Sequence, residues 1–421
     1  MGISKTIDTN KPKVIVLGGS HAHVELVVSL QKRGYFVVLI DYYQNPPAKA
    51  VADFHYQEST LNREAVLDIA LEIRPVAILN VCLDQPIPIA CFVAEKLGLP
   101  APFSSQDALY VTDKSLMKKR LLELDLPTAH FVETDTVVSS KALTLNYPLV
   151  VKPSDATGSL GVSKIATMEE LESAQLNAFE RCRNGKIIIE EFLVGKEVNV
   201  YCFVEKGTSF ILSHSEKINN NGENGKEFYF VGSLNPARIS DSAISKLNRI
   251  AQDVVNGFNI SDGPLLLQTI INGNEVSIIE IAARMGGGLS KFTLKRAIGF
   301  DIMEATIDSL LGLTPRIEVL KSLELVGTCI LYVNQGIIKE FVGFNAATTK
   351  RLLTNYSFYK NLETEIAPSF SSRNRVAGLV FTGNSIMELN DNLAKTRKII
   401  DVKGMNGESL LSEAIVLKRY E

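Results

Sequence analysis

The chain has 421 residues, room for two to four domains, and its 46% hydrophobic and 22% charged residues are the balance of a soluble globular protein. Its 44 basic and 47 acidic side chains leave a formal net charge of −3, so no global positive field is available to hold a nucleic acid backbone. No apolar run approaches the ~20 residues that span a bilayer, and no membrane partner is expected.

In chain order, Lys13 to Leu17 reads as a short buried strand stopped by Gly18-Gly19-Ser20. A helix from about His23 to Arg33 and a strand from Tyr35 to Ile40 complete a βαβ unit, which implies a parallel sheet. A helix over Glu64 to Ile73, a strand over Val76 to Val81 and a helix from Cys91 to Leu97, closed by Gly98, extend it. Residues 1–103 are therefore expected to form a doubly wound domain. The glycine turn lacks the middle and last glycines of G-x-G-x-x-G, which disfavours a dinucleotide cofactor. Gly19 and Ser20 at the helix start are candidates to face a small anionic substrate. Asp41 closes the second strand, where a ribose would sit in a nucleotide-binding domain, and Asp84 and Gln85 follow the third. His21 and His23 stand without a carboxylate cluster and read as ordinary polar residues. The five cysteines include no Cys-x-x-Cys pair and indicate neither a zinc site nor a disulfide framework. The opening residues hold no apolar signal-peptide core, so a cytoplasmic location is expected.

Asp113 to Leu124 reads as a helix with Asp113 as N-cap and Leu116, Leu121 and Leu124 as its apolar stripe. Tyr147 to Lys152 is a strand, followed by the small-residue loop Pro153 to Gly161 and a second strand from Val162 to Ile165. A helix over Met168 to Arg183 and a strand over Lys186 to Glu190 come next. Val198 to Val204 and Ser209 to His214 read as paired strands, Asn220 to Gly225 as a polar turn, and Ala243 to Phe258 as an amphipathic helix. Leu265 to Ile271 and Glu275 to Ile281 are strands joined at Asn272-Gly273, a strong hairpin signal. Gly286-Gly287-Gly288 precedes another helix. Beyond Pro315, strands over Val326 to Val333, Ile337 to Phe341 and Arg375 to Thr382, and a helix over Ser385 to Ile400, suggest a small α+β unit at 313–421.

Three apolar strands end in charge: Lys152, Glu190 and Glu280. Unpaired buried charge is costly, so these ends belong at a crevice rather than in a plain core. Lys114 and Lys152 have the chemistry to neutralise phosphates, the loop Ser154 to Gly161 to lay N–H groups over them, and Gln268 with Glu280 to hold magnesium through oxygen. Arg284 has the fork for a carboxylate or a phosphoryl group. No Walker A motif occurs.

In that order the stretches DK, YPLVVKPSDATGSLGV, IIIEEFLVGKEVNV and LLLQTIINGNEVSIIEIAARMGGG resemble the ATP-grasp ligases. The resemblance implies an α/β and α+β architecture: the N-terminal parallel-sheet domain, a central ATP-grasp fold of two α+β subdomains at 104–312 with a lid at about 113–200, and the small C-terminal domain. It implies ATP and magnesium, with manganese as a substitute. Lys114 and Lys152 match the phosphate lysines, and Ser154, Thr157, Gly158, Ser159 and Gly161 the closing loop. Glu190 matches the position near the adenine amine, Glu191, Phe192 and Leu193 the hinge meeting the adenine, and Glu197 the ribose acid. Gln268 and Glu280 match the metal positions, and Lys152, Glu280 and Arg284 are the catalytic candidates. Two departures are a glutamine at 268 and an alanine at 282, where the family carries an asparagine ligand.

The implied chemistry joins a carboxylate to an amine through an acyl phosphate, releasing ADP and phosphate. EIAARMGGG looks most like the L-amino acid ligases that form dipeptides. A purine-pathway or carbamoyl-phosphate-synthetase-like enzyme is the alternative, disfavoured by the lack of a cation in the SHAH turn. A non-catalytic nucleotide-binding protein is the alternative of another class. Candidate substrate contacts are Gly19, Ser20, His214, Arg284, Gly286 and Gly287, with Lys217 beside His214. Arg375 reads equally as a substrate contact or a surface ion pair. Similar ligases often form homodimers.

Overall fold

The computed structural model describes residues 10–139, 141, 143–156, 160–220, 229–320, 324–368 and 371–420. The N-terminal elements are β1 (Lys13–Leu17), α1 (His21–Lys32), β2 (Phe36–Ile40), β3 (Phe54–Tyr56), α2 (Arg63–Ile73), β4 (Ala77–Leu79) and α3 (Ile87–Leu97). The four strands form one parallel sheet in the order β3-β2-β1-β4. The βαβ expectation holds because β1, β2 and β4 are apolar runs buried on both faces. Three-residue β3 is too short for a sequence signal, so the sheet has one strand more than expected. Gly19 is a packing glycine: a Cβ there would meet Pro46 Cβ at 2.5 Å. Asp41 is occupied, accepting from Gly19 N at 2.7 Å and Tyr43 N at 2.8 Å.

The next layer comprises α4 (Ser105–Tyr110), α5 (Lys114–Glu123), β5 (Phe131–Thr134), β6 (Leu149–Pro153), β7 (Ser163–Ile165), α6 (Leu171–Arg181) and β8 (Ile187–Glu191). Its strands make an antiparallel sheet in the order β5-β8-β6-β7. The expected apolar stripe of α5 is only partly right: Met117, Lys118 and Leu121 are buried, whereas Leu116 and Leu124 are half-buried.

The remaining elements are β9 (Lys196–Glu205), β10 (Thr208–Asn220), β11 (Tyr229–Asn235), α7 (Asp241–Gly257), β12 (Gly263–Asn272), β13 (Glu275–Ala282), α8 (Ser290–Ile298), α9 (Ile302–Leu310), β14 (Leu325–Tyr332), β15 (Gly336–Ile337), β16 (Glu340–Val342), α10 (Phe344–Thr349), β17 (Asn355–Phe358), β18 (Glu365–Ile366), β19 (Arg375–Gly383), α11 (Ile386–Arg397) and β20 (Asp401–Lys403). Asn272 pairs with Glu275, so the hairpin turn is Gly273-Asn274, one residue later than expected. Residues 221–225 of the expected polar turn lie outside the described residues. The stretch read as one strand over Ile337 to Phe341 is two: β15 pairs with β18 and β16 with β20.

Eight strands form one antiparallel sheet in the order β13-β12-β9-β10-β11-β14-β19-β17. The boundary expected at 312/313 falls inside this sheet, because β14, β19 and β17 continue it rather than building a sheet of their own. One hydrophobic cluster joins side chains of β1, β14 and β19. Among the described residues, no helix is long and apolar enough to cross a membrane.

The C-terminal segment is pinned to this sheet. Tyr420 is 2% exposed, and its ring lies where Gly327 leaves room, 2.6 Å from the position a Cβ would take. Asn390 accepts from Tyr420 N at 2.6 Å and donates to its carbonyl at 3.0 Å. Emptying an aromatic site of this depth costs roughly 3–5 kcal/mol. Tyr420→Ala is therefore expected to lower the unfolding free energy by about that much, read from the midpoint of a urea titration at unchanged slope.

Candidate active site

The four-stranded antiparallel sheet faces the β12–β13 end of the eight-stranded sheet across a cleft. Into it project Lys114 from the start of α5, Lys152 from β6, Glu190 from the end of β8, and Gln268 and Glu280 from β12 and β13. Asp113 caps α5 by accepting from Ser115 N at 2.8 Å and Leu116 N at 3.1 Å, which fixes where Lys114 starts. The Lys114 ammonium is 3.1 Å from a Glu280 oxygen and donates to Ala156 O at 2.8 Å.

Glu190 is fully enclosed. Lys152 Nζ lies 2.5 Å from its Oε1, and Lys118 Nζ lies 2.7 Å from its Oε2. Burial pushes this carboxyl up, but the two ammonium charges outweigh it and hold it below its ordinary value. Glu280 follows the same pattern, burial being outweighed by Lys114 and Lys152. Both carboxylates therefore stay ionised.

Gln268 lies opposite Glu280 on one side and opposite Asn199 on the other, so three polar side chains share one face across β13, β12 and β9. A bulge follows the Gln268–Glu280 pair, and bulges re-aim side chains beside active sites. Asn199 Oδ1 is buried without a hydrogen-bond partner. This oxygen-only set of one carboxylate and two carboxamides fits a hard divalent cation. No cluster of three or more His, Cys, Asp or Glu groups occurs among the described residues.

Glu197 is paired with Lys217 and accepts from Asn219 Nδ2 at 2.7 Å. Glu191 accepts from Asn146 N and Nδ2 at 2.9 and 2.8 Å, and its own N–H goes to His130 O at 3.0 Å. The N–H of Phe192 goes to Pro148 O at 2.9 Å. Of the closing loop, Thr157, Gly158 and Ser159 lie outside the described residues. Ser154 is not a cleft residue: it is 0% exposed, and its hydroxyl pairs with Asn184 at 2.9 Å. Gly161 has φ +71° and packs on Pro153 and Arg181. Ala156 and Leu160 line the cleft instead.

A second cavity continues from Gln268, Glu280 and Lys217 and holds Asn199, Asp84, Arg284 and Gly287. The Arg284 fork is already filled, Nε and Nη2 donating to the two oxygens of Asp84 at 2.8 and 2.9 Å. Burial disfavours the guanidinium charge, but Asp84 outweighs it and raises the Arg284 pKa. The expectation of an open carboxylate clamp is thereby corrected to a guanidinium positioned by an N-terminal carboxylate. The Gly286 carbonyl accepts from Ser290 Oγ. His214 is also corrected: its Nδ1 accepts from Ala237 N at 3.1 Å, and it lines none of these cavities. Lys217, an odd number of residues along β10, takes the opposite, cavity-facing side.

The far wall carries Lys360, Arg373 and Arg375. Arg375 donates to Tyr332 Oη at 2.8 Å and lies 5.9 Å from the Phe230 ring. Burial, reinforced by Arg373, lowers the Lys360 pKa. Among the described residues no carboxylate pairs with any of these three cations. Lys360 and Tyr359 also border a recess containing Gly19, Ser20, His21 and Gln85. The SHAH turn is thus supplied with a cation from more than 300 residues away, which corrects the expectation that it has none.

Lys118, Asn199, Lys360 and Arg373 were not foreseen. Lys118 had a signal, its i, i+4 spacing from Lys114 on α5. Lys360 and Arg373 lie outside the strands, where no periodicity marks a side chain.

Residues 145–292 match the family model of the ATP-grasp domain. The formate-dependent phosphoribosylglycinamide formyltransferase of Wolinella succinogenes is 26% identical over 283 residues, 65% of this chain and 70% of that protein. Its namesake from Nitratiruptor sp. is 28% identical over 287 residues, 66% and 71% of the two chains. Among solved structures, L-amino acid ligase from Bacillus licheniformis superposes with a TM-score of 0.77 at 19% identity, covering 94% of this chain and 100% of that one. Phosphoribosylglycinamide synthetase from Anaerococcus prevotii gives 0.74 at 18% identity, covering 93% and 99%. With the fold and the domain match in agreement, the chain carries an ATP-grasp domain at residues 145–292, and the proteins it resembles are ATP-grasp enzymes.

Proposed function

We propose that the cleft binds ATP and that the second cavity joins a small carboxylate to an amine bearing a phosphate, as on a phosphorylated ribosyl amine. Lys360, Arg373 and Arg375, with which no carboxylate among the described residues pairs, carry this reading. Three cations around one cavity repel each other unless an anion joins them, and a phosphate satisfies several at once. The names of the sequence relatives support the same substrate class.

Lys114 and Lys152 meet the phosphates, and Gln268 with Glu280 hold magnesium, which supplies charge neutralisation at the transferred phosphoryl group. Leu193 and the backbone carbonyls of the Glu191–Phe192 hinge meet the adenine, the N–H groups of those two residues being already bonded. Glu197, steadied by Lys217 and Asn219, takes the ribose hydroxyls. The substrate carboxylate attacks the terminal phosphorus, ADP leaves, and an acyl phosphate remains. The amine then attacks the acyl carbon, loses a proton, and phosphate leaves. Arg284, held by Asp84, faces the negative charge that develops on the acyl oxygen.

Dipeptide formation is the second reading, favoured by the stretch Glu280 to Gly288, since the cation wall would also suit an amino acid carboxylate. Phosphate release from Mg–ATP separates the two. Formate with phosphoribosylglycinamide is expected to stimulate it, with ADP as the second product. Stimulation by pairs of L-amino acids alone would replace the first reading with the second, and AMP in place of ADP would overturn the acyl phosphate.

A further inference from the structure

Lys118 is 1% exposed, the most deeply placed lysine of the cleft. Its ammonium is 2.7 Å from Glu190 Oε2 and donates to Thr128 Oγ1 at 2.9 Å, and it lies 5.1 Å from the Phe131 ring. Thr128 Oγ1 in turn donates to Ile278 O at 2.8 Å, which ties this contact to β13. On the other side of the same carboxylate, Lys152 is less deeply placed, at 7% exposure. One buried carboxylate therefore holds two ammonium groups.

The two lysines are not equivalent. Lys118 has a second partner on the protein, Thr128, and is 1% exposed. Lys152 is the one that the reading above asks to address a phosphate. Were Lys152 the only partner of Glu190, turning it toward the nucleotide would strip a buried carboxylate of its counter-charge, which is strongly unfavourable. We propose that Lys118 is the fixed counter-ion of Glu190, a positioning residue that frees Lys152 for the nucleotide. This rests on the reading that Lys152 binds phosphate.

The test is the affinity of the whole chain for Mg–AMP-PNP by calorimetry. Lys118→Met is expected to weaken binding by about 10- to 100-fold, because Lys152 is then held by Glu190. Made in a Glu190→Gln background, where the charge that needs balancing is gone, Lys118→Met is expected to change the affinity by less than about fivefold. A lysine that merely filled space would cost the same in both backgrounds. Lys118→Met binding as wild type, or an equal loss in the two backgrounds, overturns the proposal. Unchanged binding by Lys152→Met would instead sink the underlying reading of the site.

Discussion

Replacing Lys152 by methionine lowers ATP-dependent phosphate release by about 10²- to 10³-fold at saturating ATP, the scale on which losing one preorganised charge costs an enzyme. Lys152 stands where the apolar strand β6 meets the cleft, beside Glu190 and within the electrostatic reach of Glu280. Its loss leaves Glu190 paired with Lys118, so the fold is not left with a bare buried charge. Turnover and thermal midpoint should therefore separate: the first collapses while the second moves little. A steady-state assay of phosphate release beside a melting curve checks this. A midpoint falling in step with the rate would mean that Lys152 serves the fold rather than the reaction.

Arg373→Ala is the second large effect, and it should appear in a different constant. The side chain lies on the wall of the second cavity, away from the nucleotide cleft. Deleting one charge-assisted contact to an anion costs about 1.5–3 kcal/mol, so the KM for the phosphate-bearing substrate should rise roughly 10- to 100-fold. The KM for ATP should stay within about twofold, since distant sites without shared partners act independently. Arg375 is a less clean probe because it also bonds to Tyr332. Equal rises in both constants would remove the cation wall from the substrate site. A variant with lower Lys360 repulsion but unchanged KM would show that the cations do not meet the substrate.

Much of the fold was open to reading from residues alone. The N-terminal βαβ unit announced itself through apolar runs broken by glycine, and the β12–β13 hairpin through its turn residues. The charge-ended strands put Lys152, Glu190 and Glu280 in one cleft, as found. Short elements such as β3 and β18 escaped, and β15 and β16 were read as one strand, because two or three residues carry no period.

The residues alone set the inventory and its order: which strands are buried, which end in charge, and that those charges must meet at a crevice because isolated they would be too costly. Which charge pairs with which was settled by the three-dimensional packing. Arg284 looked free and is held by Asp84, Glu190 looked like a ligand contact and is shared by two lysines, and His214 looked close to the substrate and faces away from it. The physical reason is that pairing depends on strand register and on approaches between segments far apart in the chain, 200 residues for Asp84 and Arg284. Local periodicity fixes which face a side chain takes within its own strand, and carries no information on what the next sheet brings against it.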